Sequence, residues 1–208
     1  MMSAVYKKLL LLLAVPVVLS GCGSTPASRF YLLIPDEQPA ATPVLAGQPH
    51  IGVGPIDLPK YLDRPQIVTR SDSAEIRLTE TERWAEPLQE NFTRVLAENL
   101  SRRLGTGRVS IEPSHNRGNI DYRVIADVLQ FDANDAGEIM LLVYWNILDR
   151  NGASLTGMQK SEIRMPIAQP ADTSRTVSRL SAAVAELGRT IAARLSELPA
   201  VTTGNTTP

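Results

Sequence analysis

Between Ile120 and Asp149 the chain reads IDYRVIADVLQFDANDAGEIMLLVYWNILD. Two runs, Ile120 to Phe131 and Glu138 to Asp149, are rich in Val, Ile, Leu, Tyr and Trp, and the composition of Asp132 to Gly137 between them is that of a turn. This predicts two long strands joined as an antiparallel pair. From Ile139 to Leu148 both alternating faces are apolar except at Asn146. Such a strand belongs inside a sheet, covered on both faces or lining a partner surface. Asp149-Arg150-Asn151-Gly152 is a strong turn signal leading into a strand from Ser154 to about Met165.

A helical stripe lies on either side of these strands. Trp84, Leu88, Phe92, Val95, Leu96, Leu100 and Leu104 recur at three- and four-residue steps, predicting a helix from near Trp84 with Pro87 in its first turn. Gly105 suits the left-handed residue past its end, and Arg102 and Arg103 suit the negative end of its dipole. Val177, Leu180, Val184, Leu187, Ile191, Leu195 and Leu198 form the second stripe, with caps at Asp172-Thr173-Ser174 and a stop at Pro199. Toward the N-terminus, Phe30 to Ile34 and Ile51 to Ile56 read as strands, separated by the proline-rich loop from Pro35 to Pro49. Gln66 to Arg70 and Ala74 to Leu78 read as a hairpin turning at Ser71-Asp72-Ser73, and Arg108 to Ile111 as a short strand. Two long helices separated by a run of strands predict an α+β two-layer sandwich, with a mostly antiparallel sheet.

The N-terminus carries a different message. Lys7-Lys8, an apolar run from Leu9 to Leu19, and then Leu19-Ser20-Gly21-Cys22 have the grammar of a secretory signal. The run is too short to cross a bilayer core of ~30 Å, which takes about 20 residues. The tetrad resembles the bacterial lipobox, and Cys22 is the only cysteine. The resemblance implies a diacylglyceryl group on its thiol and an acyl group on its new amino terminus. Gly23, where aspartate would favour inner-membrane retention, points to the outer membrane facing the periplasm. The expected organisation is therefore a signal peptide over 1–21, a lipidated tether over 22–29, one domain over 30–198 and a disordered tail over 199–208. Losing Lys7 and Lys8 leaves 19 basic residues against 22 acids, a net charge of −3. That balance gives no footprint for nucleic acid.

Catalytic patterns are missing. His50 and His115 are the only histidines and have no zinc-ligand spacing. No serine has a nucleophile-elbow surround, and Gly52-Val53-Gly54 and Gly105-Thr106-Gly107 lack a phosphate-loop lysine. Asp132, Asn134 and Gly137 imitate the opening of a calcium loop, but Val143 stands where its bidentate glutamate should be. Glu80, Glu82, Glu86 and Glu90 cluster where acids complement the dipole at a helix start. The expectation is a non-enzyme with no metal and no cofactor beyond the lipid on Cys22.

Three segments carry a family resemblance. Phe30-Tyr31-Leu32 follows the lipidated cysteine. Val53-Gly54-Pro55-Ile56-Asp57-Leu58-Pro59-Lys60-Tyr61-Leu62-Asp63-Arg64-Pro65-Gln66-Ile67-Val68 comes next, and then Arg83-Trp84-Ala85-Glu86-Pro87-Leu88-Gln89-Glu90-Asn91-Phe92. Their order and spacing resemble the ABC-type transport auxiliary lipoproteins, a group that includes the intermembrane transport lipoprotein PqiC. The resemblance implies a component of an MCE-type lipid transport system, which docks a periplasmic tunnel protein at the outer membrane. A ring or other homo-oligomer around the tunnel tip is compatible with that role. Pro55, Leu58, Pro59, Tyr61, Leu62 and Arg64 form a stiff, partly apolar loop with one guanidinium, suited to a protein contact. The alternative is that this loop folds onto the sheet, with Arg64 paired to Asp63 or Glu86. Trp84 is a second-rank docking candidate and otherwise a lid over the core. Two competing functions stay open: a lipid carrier with an internal apolar cavity, and a structural lipoprotein of the lipopolysaccharide-assembly type.

Overall fold

The computed structural model describes residues 27–37, 45, 47–71, 74–113, 120–168 and 172–199. The signal segment, Cys22, most of the tether, His115 and the tail beyond Pro199 fall outside them. Eight strands form one sheet: β1 (Arg29–Tyr31), β2 (Ile51–Asp57), β3 (Gln66–Arg70), β4 (Ile76–Trp84), β5 (Val109–Ile111), β6 (Tyr122–Asn134), β7 (Glu138–Asp149) and β8 (Gln159–Pro166). Two helices, α1 (Leu88–Leu104) and α2 (Thr173–Ser196), complete an α+β fold.

The quoted stretch is the centre of the sheet. β6 pairs antiparallel with β7 along one edge, from Tyr122↔Asp149 to Ala133↔Ile139, and β8 follows antiparallel beyond β7. The other edge of β6 is shared. β2 runs parallel along its first half, from Ile51↔Tyr122 to Asp57↔Asp127. β3 runs parallel at its far end, at Thr69↔Ala133 and Arg70↔Asn134. β5 extends the sheet beyond β2, while β4 and β1 extend it beyond β3. The sheet is thus mixed, with its two longest ladders antiparallel.

Register puts one apolar face of the sheet under the helices. Val124, Ala126 and Val128 stand opposite Ile147, Trp145 and Val143, and all six are buried. Phe92 of α1 meets Phe131 of β6 edge to face, with ring centroids 5.2 Å apart. Such a pair contributes about 0.5–1.5 kcal/mol beyond its burial. α1 and α2 pack on each other where Gly188 passes α1, since a Cβ there would stand 3.2 Å from Asn99 Cβ. On the opposite face of β7, Met140 and Leu142 are half-buried and Tyr144 is exposed. β7 is therefore interior to the sheet, fully covered on one face and only partly on the other, where Asn146 is buried under Ser154 and Thr156.

The predicted caps Gly105 and Asp172 both form, although α2 ends at Ser196, before Leu198 of its stripe and the expected stop at Pro199. Gly105 adopts φ 59°, with its N–H donating to the Arg102 carbonyl and the Thr106 N–H donating to that of Ser101. Asp172 accepts from the Arg175 N–H at 2.7 Å, capping α2. The start of α1 is a correction. Trp84 closes β4 rather than opening the helix, donating its N–H to Pro65 O at 2.7 Å while Ala85 donates to Tyr31 O. Proline disfavours helical backbone in the residue before it, so Glu86 cannot join the helix and α1 begins after Pro87.

The predicted N-terminal strand keeps strand pairing only over Arg29–Tyr31, and the strand before α1 runs to Trp84 instead of stopping at Leu78. Asp132, Ala133 and Asn134 belong to β6, so the turn shrinks to Asp135, Ala136 and Gly137. The expected strand from Ser154 begins at Gln159, preceded by a single bridge between Leu148 and Ser154.

Candidate functional site

Because β2 and β3 lie on the same edge of β6, residues 58–65 must cross the gap between them. They do so beside the irregularity of β6 between Val128 and Gln130. Pro59 opens a 3-10 turn over Lys60–Leu62, closed by Leu62 N–H to Pro59 O at 2.9 Å and Asp63 N–H to Lys60 O at 3.2 Å. Proline suits this position because its fixed φ lowers the ordering cost.

One buried carboxylate holds the crossing in place. The side chain of Asp132 has no exposed surface. Its Oδ2 accepts from the Tyr61 hydroxyl at 2.8 Å and from Arg70 Nη2 at 3.0 Å, while its Oδ1 accepts from Gln130 Nε2 at 2.8 Å. The Arg70 guanidinium also lies over the Tyr61 ring, 5.3 Å from its centroid. Burial, and then the hydrogen bond to Asp132, push the Tyr61 phenol up to about 12. The same carboxylate raises the Arg70 pKa. A carboxylate removed from water is tolerable with this many donors around it.

The candidate docking residues therefore separate into two groups. Leu62 and Trp84 are buried, and Tyr61 is half-buried on Asp132, so these three hold the loop and cover the core. Pro55 and Arg64 are exposed, while Leu58 and Pro59 are half-buried. Neither local pairing expected for Arg64 forms: Glu86 pairs with Arg94, and Arg64 has no ion pair among the described residues.

Of the outward residues, Pro55 and Leu58 border a surface groove of about 770 Å³ between the crossing, the start of α1 and the end of β5, while Pro59 and Arg64 stand outside its lining. Pro55, Leu58, Leu62, Leu88, Ile111 and Pro113 supply its apolar lining. Lys60, Asp63, Glu90 and Glu112 supply charge around it. Gly54 lets one wall close. It adopts φ +124°, and a Cβ there would stand 2.6 Å from the Glu112 carbonyl oxygen. The groove offers a shaped apolar floor with a charged margin, a combination suited to holding a protein segment.

Sequence reasoning missed Asp132, Gln130 and Arg70 as a group. Asp132 read as a turn residue with calcium-loop spacing, whereas its side chain is spent on Tyr61, Arg70 and Gln130. The only available signal was an acid adjoining the apolar run that ends in Phe131.

Comparison with known proteins agrees with this architecture. The profile of the family described as ABC-type transport auxiliary lipoprotein component matches residues 31–192. The crystal structure of an uncharacterized protein superposes with a TM-score of 0.66 at 17% identity, over 82% of this chain and 99% of its own. A Xanthomonas campestris protein gives a TM-score of 0.66 at 15% identity, over 79% of this chain and 93% of its own. At such identities these two attest the fold alone. No curated protein sequence matches the chain. By the extent of the profile match, the chain belongs to the family of ABC-type transport auxiliary lipoprotein components.

Proposed function

We propose that this protein is the outer-membrane adaptor of an MCE-type intermembrane phospholipid transport system. Lipid on Cys22 anchors it to the periplasmic face, and the groove beside residues 58–65 receives the distal end of the tunnel protein. Family membership over residues 31–192 is the observation that carries this reading. The groove supports it by joining Pro55, Leu58 and the start of α1 in one concave surface. Anchoring matters energetically, because it turns capture of the tunnel into an encounter at high effective concentration. A carrier would need an enclosed apolar cavity, whereas this groove is open and edged by Lys60, Asp63, Glu90 and Glu112.

Lys60, which lines the groove, and Arg64, on the same crossing, make the test clean because both are exposed and neither forms an ion pair among the described residues. The double variant Lys60→Glu/Arg64→Glu keeps the wild-type unfolding midpoint, since exposed substitutions usually stay within about 0.5 kcal/mol. Its co-purification with the MCE protein from detergent-extracted envelopes falls at least tenfold. Undiminished co-purification removes the groove as the docking site. Failure of the wild type itself to capture any MCE protein removes the adaptor reading.

A further inference from the structure

Nine large apolar side chains are left exposed among the described residues, and Phe30, Leu32 and Ile34 are three of them, at 64%, 40% and 58%. All three stand directly after the tether. Single exposed apolar residues are ordinary on a soluble surface, but three alternating along one short run are not. Tyr31 and Leu33 between them face the protein, half-buried and buried respectively.

The backbone of this run is clamped. Arg29 Nε donates to the buried Glu82 at 2.8 Å, and β1 pairs with β4 through Tyr31. Leu33 N–H donates to Asn91 Oδ1 at 2.7 Å, and Asn91 Nδ2 donates back to Leu33 O at 3.4 Å. Ile34 N–H donates to Ser181 Oγ at 3.1 Å, and Asp36 N–H to Asn99 Oδ1 at 2.8 Å. The amides of Leu33, Ile34 and Asp36 and the Leu33 carbonyl are held from both helices, so the apolar side chains project from a fixed platform.

Chain length says what meets them. Phe30 lies eight positions after Cys22, at most about 29 Å of fully extended chain. If Cys22 is acylated, the run can never leave the neighbourhood of the bilayer. We propose that Phe30, Leu32 and Ile34 lie in the acyl–headgroup boundary of the leaflet that holds the Cys22 lipid, and so fix the orientation of the domain on the membrane. This rests on the anchored reading above.

Apolar burial drives the contact, and charge has little part in it. Arg179 and Arg189 share a depression with Ile34, but Asp36, Glu37 and Glu186 line it too and leave no cationic excess. Zwitterionic vesicles should therefore suffice. With the domain held this way, the groove keeps a constant bearing relative to the membrane.

Cys22 is the only native thiol, so one introduced cysteine in the acylated protein takes a single label. Leu32→Cys and, as a remote exposed control, Met158→Cys are each labelled with an environment-sensitive fluorophore and reconstituted into phosphatidylcholine vesicles. Nitroxide-bearing lipid quenches the label at position 32 at least threefold more than at 158, and aqueous iodide reaches 32 less. Equal quenching at the two sites overturns the proposal while leaving the anchor intact. So does a label at 32 that is shielded from iodide yet beyond reach of the lipid nitroxide, the result expected if a second copy covers the run. Mass spectrometry showing unacylated Cys22 overturns anchor and orientation together.

Discussion

Residues 29–36 and residues 58–65 are both short, apolar-rich segments, one starting at a sheet edge and one crossing beside the central strand, yet they are secured in opposite ways. In the later segment the side chains themselves are bound: Tyr61 to Asp132 and Leu62 in the core. In the earlier one the backbone is bound, by Asn91, Asn99 and Ser181, and alternate side chains are released to the outside. The difference shows that apolar composition alone does not say whether a connection is scaffold or surface. What decides is whether the protein's own polar groups spend their hydrogen bonds on the side chains or on the main chain.

The comparison breaks most readily at Asp132. Asp132→Ala leaves the Arg70 guanidinium and the Tyr61 hydroxyl without their acceptor, at a cost of about 3 kcal/mol. The fall appears as a lower urea midpoint, and proteolysis within residues 58–65 accelerates. Asn91→Ala tests the other mode. Losing both bonds to Leu33 costs about 2 kcal/mol, and hydrogen exchange at the Leu33 amide speeds up while the 58–65 crossing stays protected.

Tyr61→Phe is the mildest, at about 1 kcal/mol near neutral pH. Its sharper signature lies in alkali. The folded phenol titrates near 12 and an unfolded one near 10, so the unfolded chain gives up its proton first. Stability from this group is complete below pH ~10 and is lost as pH rises toward 12. The wild type therefore loses stability across that window, and Tyr61→Phe loses less, by denaturant titration at successive pH values.

Periodicity made much of this fold legible. Six of seven stripe positions fall in α2, with Leu198 just past its end, Gly105 marked the end of α1, and the apolar runs on either side of Asp135-Ala136-Gly137 marked β6 and β7. Failures came where a distant partner reverses a local signal. Glu82 belonged to an acidic cluster that read as dipole complement at a helix start, but it is a buried strand residue paired with Arg29, 53 positions away. Asp132 read as a turn residue because its partners Tyr61 and Arg70 are 71 and 62 positions distant. At the candidate groove, the proline-bounded loop was visible from composition. That it could fold onto the sheet stood as an alternative, but which of its side chains turn inward was not legible, because that depends on two strands sharing one edge of β6.

That shared edge also sets an order of assembly. β2 and β3 are adjacent in the chain but have no ladder with each other, and each finds its place on β6. β3 can pair with β4, and β2 with β5, as the chain emerges from the ribosome, but the strand that joins these pairs, Tyr122–Asn134, is made after all four. Closing long loops is slow beside local pairing, so the β3–β4 and β2–β5 pairs of the first half join into one sheet only when the second half arrives.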